Sequence, residues 1–166
     1  MRLFIAQTLD GYIAGPGDSL DHLTPFHGND YGYDAFVATC DAVAIGRTTF
    51  DRIVPTYGWT YPKGLSGRVI TRRPLPEGLP SEVRGVASLA EAAAAGAAVF
   101  LDGGASVIRQ ALDQGLVKEA RIFTLPTRIG AGTRLFQDGT PVSERWTLLE
   151  ARTFSCGTIG ASYRIG

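Results

Sequence analysis

Apolar positions along this chain fall in short β-prone runs separated by stretches with helical spacing, the pattern of a sheet covered by helices. The runs predict strands at Leu3–Thr8, Ala42–Ile45, Arg68–Thr71, Ala98–Leu101, Ala120–Leu125, Trp146–Phe154 and Thr158–Ile165. Four of them, at Ala42, Arg68, Ala98 and Ala120, are nearly continuous in apolar character, as buried central strands are. The last two, separated by Ser155-Cys156-Gly157, read as a terminal antiparallel hairpin. Ser88-Leu89-Ala90-Glu91 has capping-box spacing and opens an alanine-rich helix that stops at Gly96. A second helix is predicted over Ala105–Gln114, where Val107, Ile108, Ala111 and Leu112 form one apolar stripe before Gly115. Shorter helices are predicted at Asp34–Thr39 and Thr48–Ile53, leaving Gly15–Gly32 and Pro55–Gly67 as the two long irregular stretches.

Composition narrows the class without naming the chemistry. A chain of 166 residues fits one domain able to bury its own core, so neither a metal nor a disulfide is needed to staple it. Sixteen basic and sixteen acidic residues cancel, which removes the overall field that would draw the chain to nucleic acid or an anionic membrane. Cys40 and Cys156 are too few for a disulfide framework and are expected to fill the core. With only His22 and His27 there is no zinc-ligand spacing, so no metal is expected. Met1–Ala6 has no secretion-signal pattern, and no apolar run approaches the ~20 residues of a membrane span. A cytoplasmic location is the expectation.

Two strand-to-helix junctions end in glycine and suit phosphate. In Ala42-Val43-Ala44-Ile45-Gly46-Arg47-Thr48-Thr49-Phe50 a helix N-terminus offers backbone N–H groups and a partial positive charge, while Arg47 adds a bidentate donor. In Val99-Phe100-Leu101-Asp102-Gly103-Gly104-Ala105-Ser106-Val107 paired glycines let a ligand approach the main chain. Either glycine corner is also compatible with a plain turn. Thr71-Arg72-Arg73-Pro74 at a third strand end adds weight, because neighbouring strand ends make a crevice.

The string Gly46-Arg47-Thr48-Thr49-Phe50 resembles the Gly-Arg-x-Thr-aromatic signature of dihydrofolate reductases, and Gly103-Gly104 resembles their paired-glycine turn. Leu9-Asp10-Gly11-Tyr12-Ile13-Ala14-Gly15 looks like that family's opening motif. Arg109-Gln110-Ala111-Leu112, Gly115-Leu116-Val117 and Gly130-Ala131-Gly132-Thr133-Arg134-Leu135-Phe136 are similar to the bacterial branch grouped with the RibD reductase domain. The resemblance spans about residues 2 to 165, with every motif in order. It implies a three-layer α/β/α fold with a mixed central sheet of about eight strands. It also implies NADPH as coenzyme. Ala6 and Ile13 would hold the nicotinamide carboxamide. Gly46, Arg47, Thr48 and Thr49 would hold the diphosphate and 2′-phosphate, and Thr71 and Arg72 the adenosine. Gly103, Gly104, Ala105, Ser106 and Val107 would wrap the diphosphate, with a cis peptide between the glycines. Arg47, Arg72 and Arg73 favour NADPH over NADH, since a 2′-phosphate carries close to two negative charges; solvated loop cations are the second reading of Arg72 and Arg73.

The chain departs from the folate reductases at its acids. By spacing, their substrate-binding acid corresponds to Asp30 or Asp34, yet both also suit capping roles. Asp102 stands where folate reductases carry an apolar residue and the riboflavin-pathway reductases resemble it with a Glu; it is a proton-donor candidate or a helix cap. Thr124 matches a pocket-lining position of the family. There is no His-x-Glu and no Pro-Cys-x-x-Cys, so the deaminase often fused to such reductases is missing. Lys63 and Lys118 are the only lysines, leaving Arg128 and Arg134 as further phosphate candidates or surface contacts. The sequence thus points to an NADPH-dependent reductase of a small heterocyclic substrate, first of the pyrimidine type and second a folate reductase. A nucleotide-binding module without turnover is the third reading, and a homodimer is expected.

Overall fold

The computed structural model describes residues 1–136 and 145–166. Its strands are β1 (Arg2–Thr8), β2 (Tyr12–Ala14), β3 (Ala42–Gly46), β4 (Ser66–Ile70), β5 (Val83–Val86), β6 (Val99–Gly103), β7 (Glu119–Leu125), β8 (Thr133–Arg134), β9 (Trp146–Thr153) and β10 (Ile159–Ile165). The α-helices are α1 (Tyr33–Val37), α2 (Arg47–Tyr57), α3 (Leu89–Ala93) and α4 (Ala105–Asp113). Eight strands form a mixed sheet, and β2 and β8 form a two-stranded one. The chain divides into two compact units, residues 1–2 with 34–116 and residues 3–33 with 117–166.

In the first unit the strands run in the order β5-β4-β3-β6, with β3, β4, β5 and β6 all parallel. All five residues of β3 are buried, as its unbroken apolar run requires of a strand covered on both faces. Ile45, Phe50, Val69 and Val83 form one apolar cluster, and Ile53 and Val54 of α2 pack against it. That packing carries α2 past Pro55 to Tyr57, so the helix is longer than the predicted Thr48–Ile53 and consumes the start of the predicted loop. A proline in the last turn removes one N–H donor, and the chain still closes the helix through Gly58 N–H to the Val54 carbonyl. The Ser88 hydroxyl accepts from Glu91 N–H at 3.1 Å, and the Glu91 carboxylate accepts from Ala87 N–H at 3.0 Å. The Ser88 half of the predicted box forms and Glu91 reaches back one residue further, to Ala87, while α3 stops at Ala93, before Gly96.

In the second unit β10 pairs antiparallel with both β7 and β9, which is the predicted terminal hairpin extended by one strand. Phe154 N–H donates to the Thr158 carbonyl across its turn. Cys156 in that turn and Cys40 after α1 are half-buried, which corrects the expectation that both fill the core. The Gly15–Gly32 stretch contains two 3-10 segments, Pro16–Asp18 and Asp21–Phe26.

Asp10 staples the second unit. Its carboxylate accepts from the Thr8 hydroxyl at 2.5 Å and from the Gly130 and Ile129 amides at 2.8 and 3.4 Å. Desolvation pushes this carboxyl up, but the hydrogen bonds from Thr8 and the two amides outweigh it and hold it below the ordinary range. A depressed folded value contributes stability that is present at neutral pH and fades as acid protonates the group. Asp10→Asn is therefore expected to unfold at lower urea concentration than the parent at pH 7, with the gap closing below about pH 4. Equal gaps at pH 7 and pH 3 would remove the carboxylate from that role.

Candidate functional site

The first unit brings two strand-to-helix corners into contact. Register sets Ile45 of β3 opposite Gly103 of β6, so Gly46 and Gly104 open α2 and α4 side by side. A Cβ at Gly46 would sit 2.7 Å from Val107 Cγ2 and 3.3 Å from the Gly103 carbonyl oxygen; one at Gly104 would sit 2.9 Å from Thr49 Oγ1. At both positions a side chain would crowd Val107 or Thr49 across the corner, which glycine avoids. Neither Gly46 nor Gly104 has a side-chain cap, so the first-turn amides of α2 and α4 are not satisfied in that way. Two such helix ends at adjacent parallel strands form a concave, positively polarised corner. The Gly103–Gly104 peptide is cis, as the resemblance implied.

Beside this corner the arginines are arranged by an acid that the sequence reading did not include. Asp51, one turn into α2, takes Arg47 Nε at 2.6 Å and an Arg73 terminal nitrogen at 2.9 Å on its two carboxylate oxygens. Arg47 also donates to the carbonyls of Arg73 and Pro74 and to the Thr71 hydroxyl, at 3.4, 3.0 and 3.4 Å. Two cations on one carboxylate leave a net positive cluster. Thr71–Leu75, Val83–Ala87 and Glu91 line an open groove of about 780 Å³. Arg72 lies on that groove, and so does Arg84, which was not found because β5 itself was not recognised. Thr48 and Ser106 are exposed, and Ser106 Oγ accepts from Gln110 at 3.2 Å.

Asp102 is the penultimate residue of β6, immediately before the paired glycines, and is half-buried. Burial drives its carboxyl above the ordinary carboxylate range, opposed by a hydrogen bond from Tyr61 Oη to Oδ2 at 2.5 Å. No other hydrogen bond to this carboxyl occurs among the described residues, so the helix-cap alternative is set aside. Tyr61 escaped the sequence reading because it lies in a loop with no motif around it.

Ala6 and Ile13 belong to the second unit, on β1 and β2. Ala6 lines a pocket of about 150 Å³ with Phe4, Ile5, Leu23, Phe26, His27, Tyr31, Phe123 and Leu125. Thr124, between Phe123 and Leu125, does not share that lining; strand alternation turns it to the other face of β7. Asp30 is exposed and its carboxylate accepts from Gly32 N–H at 2.7 Å, a turn-capping role rather than a pocket role. Among the described residues no cluster of three or more His, Cys, Asp or Glu is placed to hold a metal, and no helix is long and apolar enough to cross a membrane.

Residues 82–159 match the model of the RibD C-terminal domain. The uncharacterized protein YwjB of Bacillus subtilis (strain 168) is 31% identical over 149 residues, covering 83% of each chain. The chain belongs to the RibD C-terminal domain family. A Shewanella sp. PV-4 structure described as that of a riboflavin biosynthesis protein is 25% identical and superposes with a TM-score of 0.84 over 99% of this chain and 98% of its own. Dihydrofolate reductase from Enterococcus faecalis, complexed with NADP(H), shares the fold at a TM-score of 0.67 and 17% identity, over 99% and 95% of the two chains. The RibD C-terminal match ends inside β10 and begins before β5, so the Gly46-Arg47 corner lies outside it while Asp102 and both paired glycines lie within.

Proposed function

We propose that this chain is an NADPH-dependent reductase that delivers a hydride to a C=N or C=O bond of a small heterocycle, closest in kind to the pyrimidine reductases of riboflavin synthesis. One observation carries the reading: two uncapped helix N-termini meet at Gly46 and Gly104 with the Arg47–Asp51–Arg73 cluster beside them. Backbone amides there suit a diphosphate, and the arginines suit a third phosphate. The 780 Å³ groove is roomy enough for a nucleoside. When bound, the coenzyme supplies the hydride, and the protein contributes binding, orientation and electrostatics. Gly46, Arg47, Thr48, Thr49, Gly103 and Gly104 hold phosphate, Thr71, Arg72 and Arg73 the adenosine side, and Asp102 provides the proton.

Family membership favours the pyrimidine type over folate reduction, and so does Asp102, which stands where the folate reductases carry an apolar residue and the riboflavin-pathway reductases resemble it with a Glu. We also place the protein in the cytoplasm and seat a second copy along β9, whose residues are largely exposed and include Leu148 and Leu149.

Arg47→Ala is expected to weaken NADPH binding about 10-fold or more while NADH binding changes little, since one charge-assisted contact contributes about 1.5–3 kcal/mol. Isothermal calorimetry with both coenzymes measures it. Equal losses would take Arg47 off the 2′-phosphate, and no uptake of either coenzyme by the parent would end the reductase reading.

A further inference from the structure

Tyr61 lies between α2 and β4 and brings both a ring and a hydroxyl to the first unit. The ring is buried, 9% exposed, and packs on Trp59 at a centroid distance of 4.6 Å. Its hydroxyl nevertheless reaches the end of β6 and donates to Asp102 Oδ2 at 2.5 Å. That contact joins residues 41 positions apart, and it is the single hydrogen bond made to the Asp102 carboxyl among the described residues. A carboxyl with one oxygen engaged and the other unengaged has a defined direction in which to donate.

We propose that Tyr61 is a positioning residue acting through Asp102, holding Oδ2 so that Oδ1 is presented to the substrate and steadying the carboxylate that forms once its proton has left. The proposal rests on the reductase reading. In the step it describes, hydride adds to the acceptor carbon and the Asp102 Oδ1 proton goes to the acceptor nitrogen or oxygen. The C=N or C=O π bond breaks, a C–H and an N–H or O–H bond form, and NADPH leaves as NADP⁺. Asp102 is left as a carboxylate, reprotonated from water. A hydrogen bond from a neutral hydroxyl to a carboxylate is stronger than one to a carboxylic acid, so the Tyr61 contact tightens as charge develops. Interactions stronger in the transition state than in the ground state raise turnover rather than substrate affinity.

Two consequences separate this role from a structural tether. The Tyr61 hydrogen bond pulls the Asp102 carboxyl down against the larger upward push of burial, so losing the hydroxyl lets the carboxyl rise further. A proton donor works in its protonated form, so the high-pH limb of kcat must move alkaline while the plateau falls. A tether would lower the plateau without moving the limb.

The experiment is Tyr61→Phe in the full chain, which keeps the ring against Trp59. Asp102 is followed by its ¹³Cγ resonance, assigned by loss of the signal in Asp102→Asn. The expected result is an Asp102 titration shifted to higher pH, kcat on a heterocycle panel down about 10- to 100-fold, and NADPH affinity within about 2-fold of the parent. Replacing Tyr61 by 3-fluorotyrosine, a more acidic donor, is expected to move the same titration to lower pH, and it decides the matter should the Phe variant fail to fold. An Asp102 titration indifferent to both substitutions overturns the proposal. Failure of the parent to bind NADPH overturns the reductase reading instead, and the carboxyl titration still reports whether Tyr61 governs Asp102.

Discussion

Asp102→Asn is expected to lower turnover by about 10²-fold or more, the scale on which a positioned proton donor contributes, while leaving NADPH affinity nearly unchanged. The same change carries an opposite consequence for the fold. Burial raises the carboxyl of the folded chain above its unfolded value. Such a group gives its full stability below the unfolded value and loses it as pH rises through the folded value, where the charge is forced onto a desolvated carboxyl. Asparagine never ionises. Urea midpoints of the parent and the variant should therefore separate in the variant's favour from pH 4 to pH 8, as happens where a site is kept at the expense of stability. A variant equally destabilised at both ends would mean that Asp102 is an ionised structural residue, and an unaltered rate would strip it of the proton.

Gly132→Ala is expected to be the most destabilising single methyl in the second unit. Gly132 has φ +132°, a conformation that side chains rarely adopt. Its added Cβ would overlap the Ala14 carbonyl oxygen and lie 2.8 and 2.9 Å from the Cα and carbonyl carbon of Gly15. All three obstacles are main chain held by the β2–β8 pairing, in which Ala14 lies opposite Thr133, so none can swing aside as a side-chain tip would. Strain and overlap together should cost on the order of 3 kcal/mol, or roughly 6–12 °C in Tm for a chain of this size. Gly130→Ala is the control, since it shares a positive φ of 76° but meets nothing within 4 Å. It should lose about 1–2 kcal/mol. Equal losses for the two would mean that the β2–β8 contact is looser than described.

What the sequence revealed and what it hid divide along physical lines. β3 and β6 were legible because a strand covered on both faces must be apolar throughout, and the glycines that end them mark corners where a Cβ cannot fit. β5 was not, because Val83 and Val86 flank exposed Arg84 and Gly85, a pattern with neither alternation nor continuity. α2 was cut short because Pro55 reads as a stop, whereas tertiary packing of Ile53 and Val54 extends the helix through it. At the site, residues with motif neighbours were found, among them Gly46, Arg47, Asp102 and the paired glycines. Asp51 and Tyr61 were not, because each acquires its role from a partner that only the fold supplies, Arg73 for one and Asp102 for the other. Asp30 shows the reverse, an acid chosen by spacing that serves its own turn.

The two units differ in how they are written along the chain. Apart from two N-terminal residues, the first is one uninterrupted stretch from Asp34 to Leu116, whereas the second joins Leu3–Tyr33 to Val117–Gly166. During synthesis from the N-terminus, β1 and β2 leave the ribosome with most of their unit still untranslated. By the time β7 appears, the parallel strands from Ala42 to Gly103 have all been made and can already have paired. Phe4, whose ring meets Phe123 of β7 at a centroid distance of 4.6 Å, gains that partner only then, which gives the opening segment something to gain from a holding chaperone.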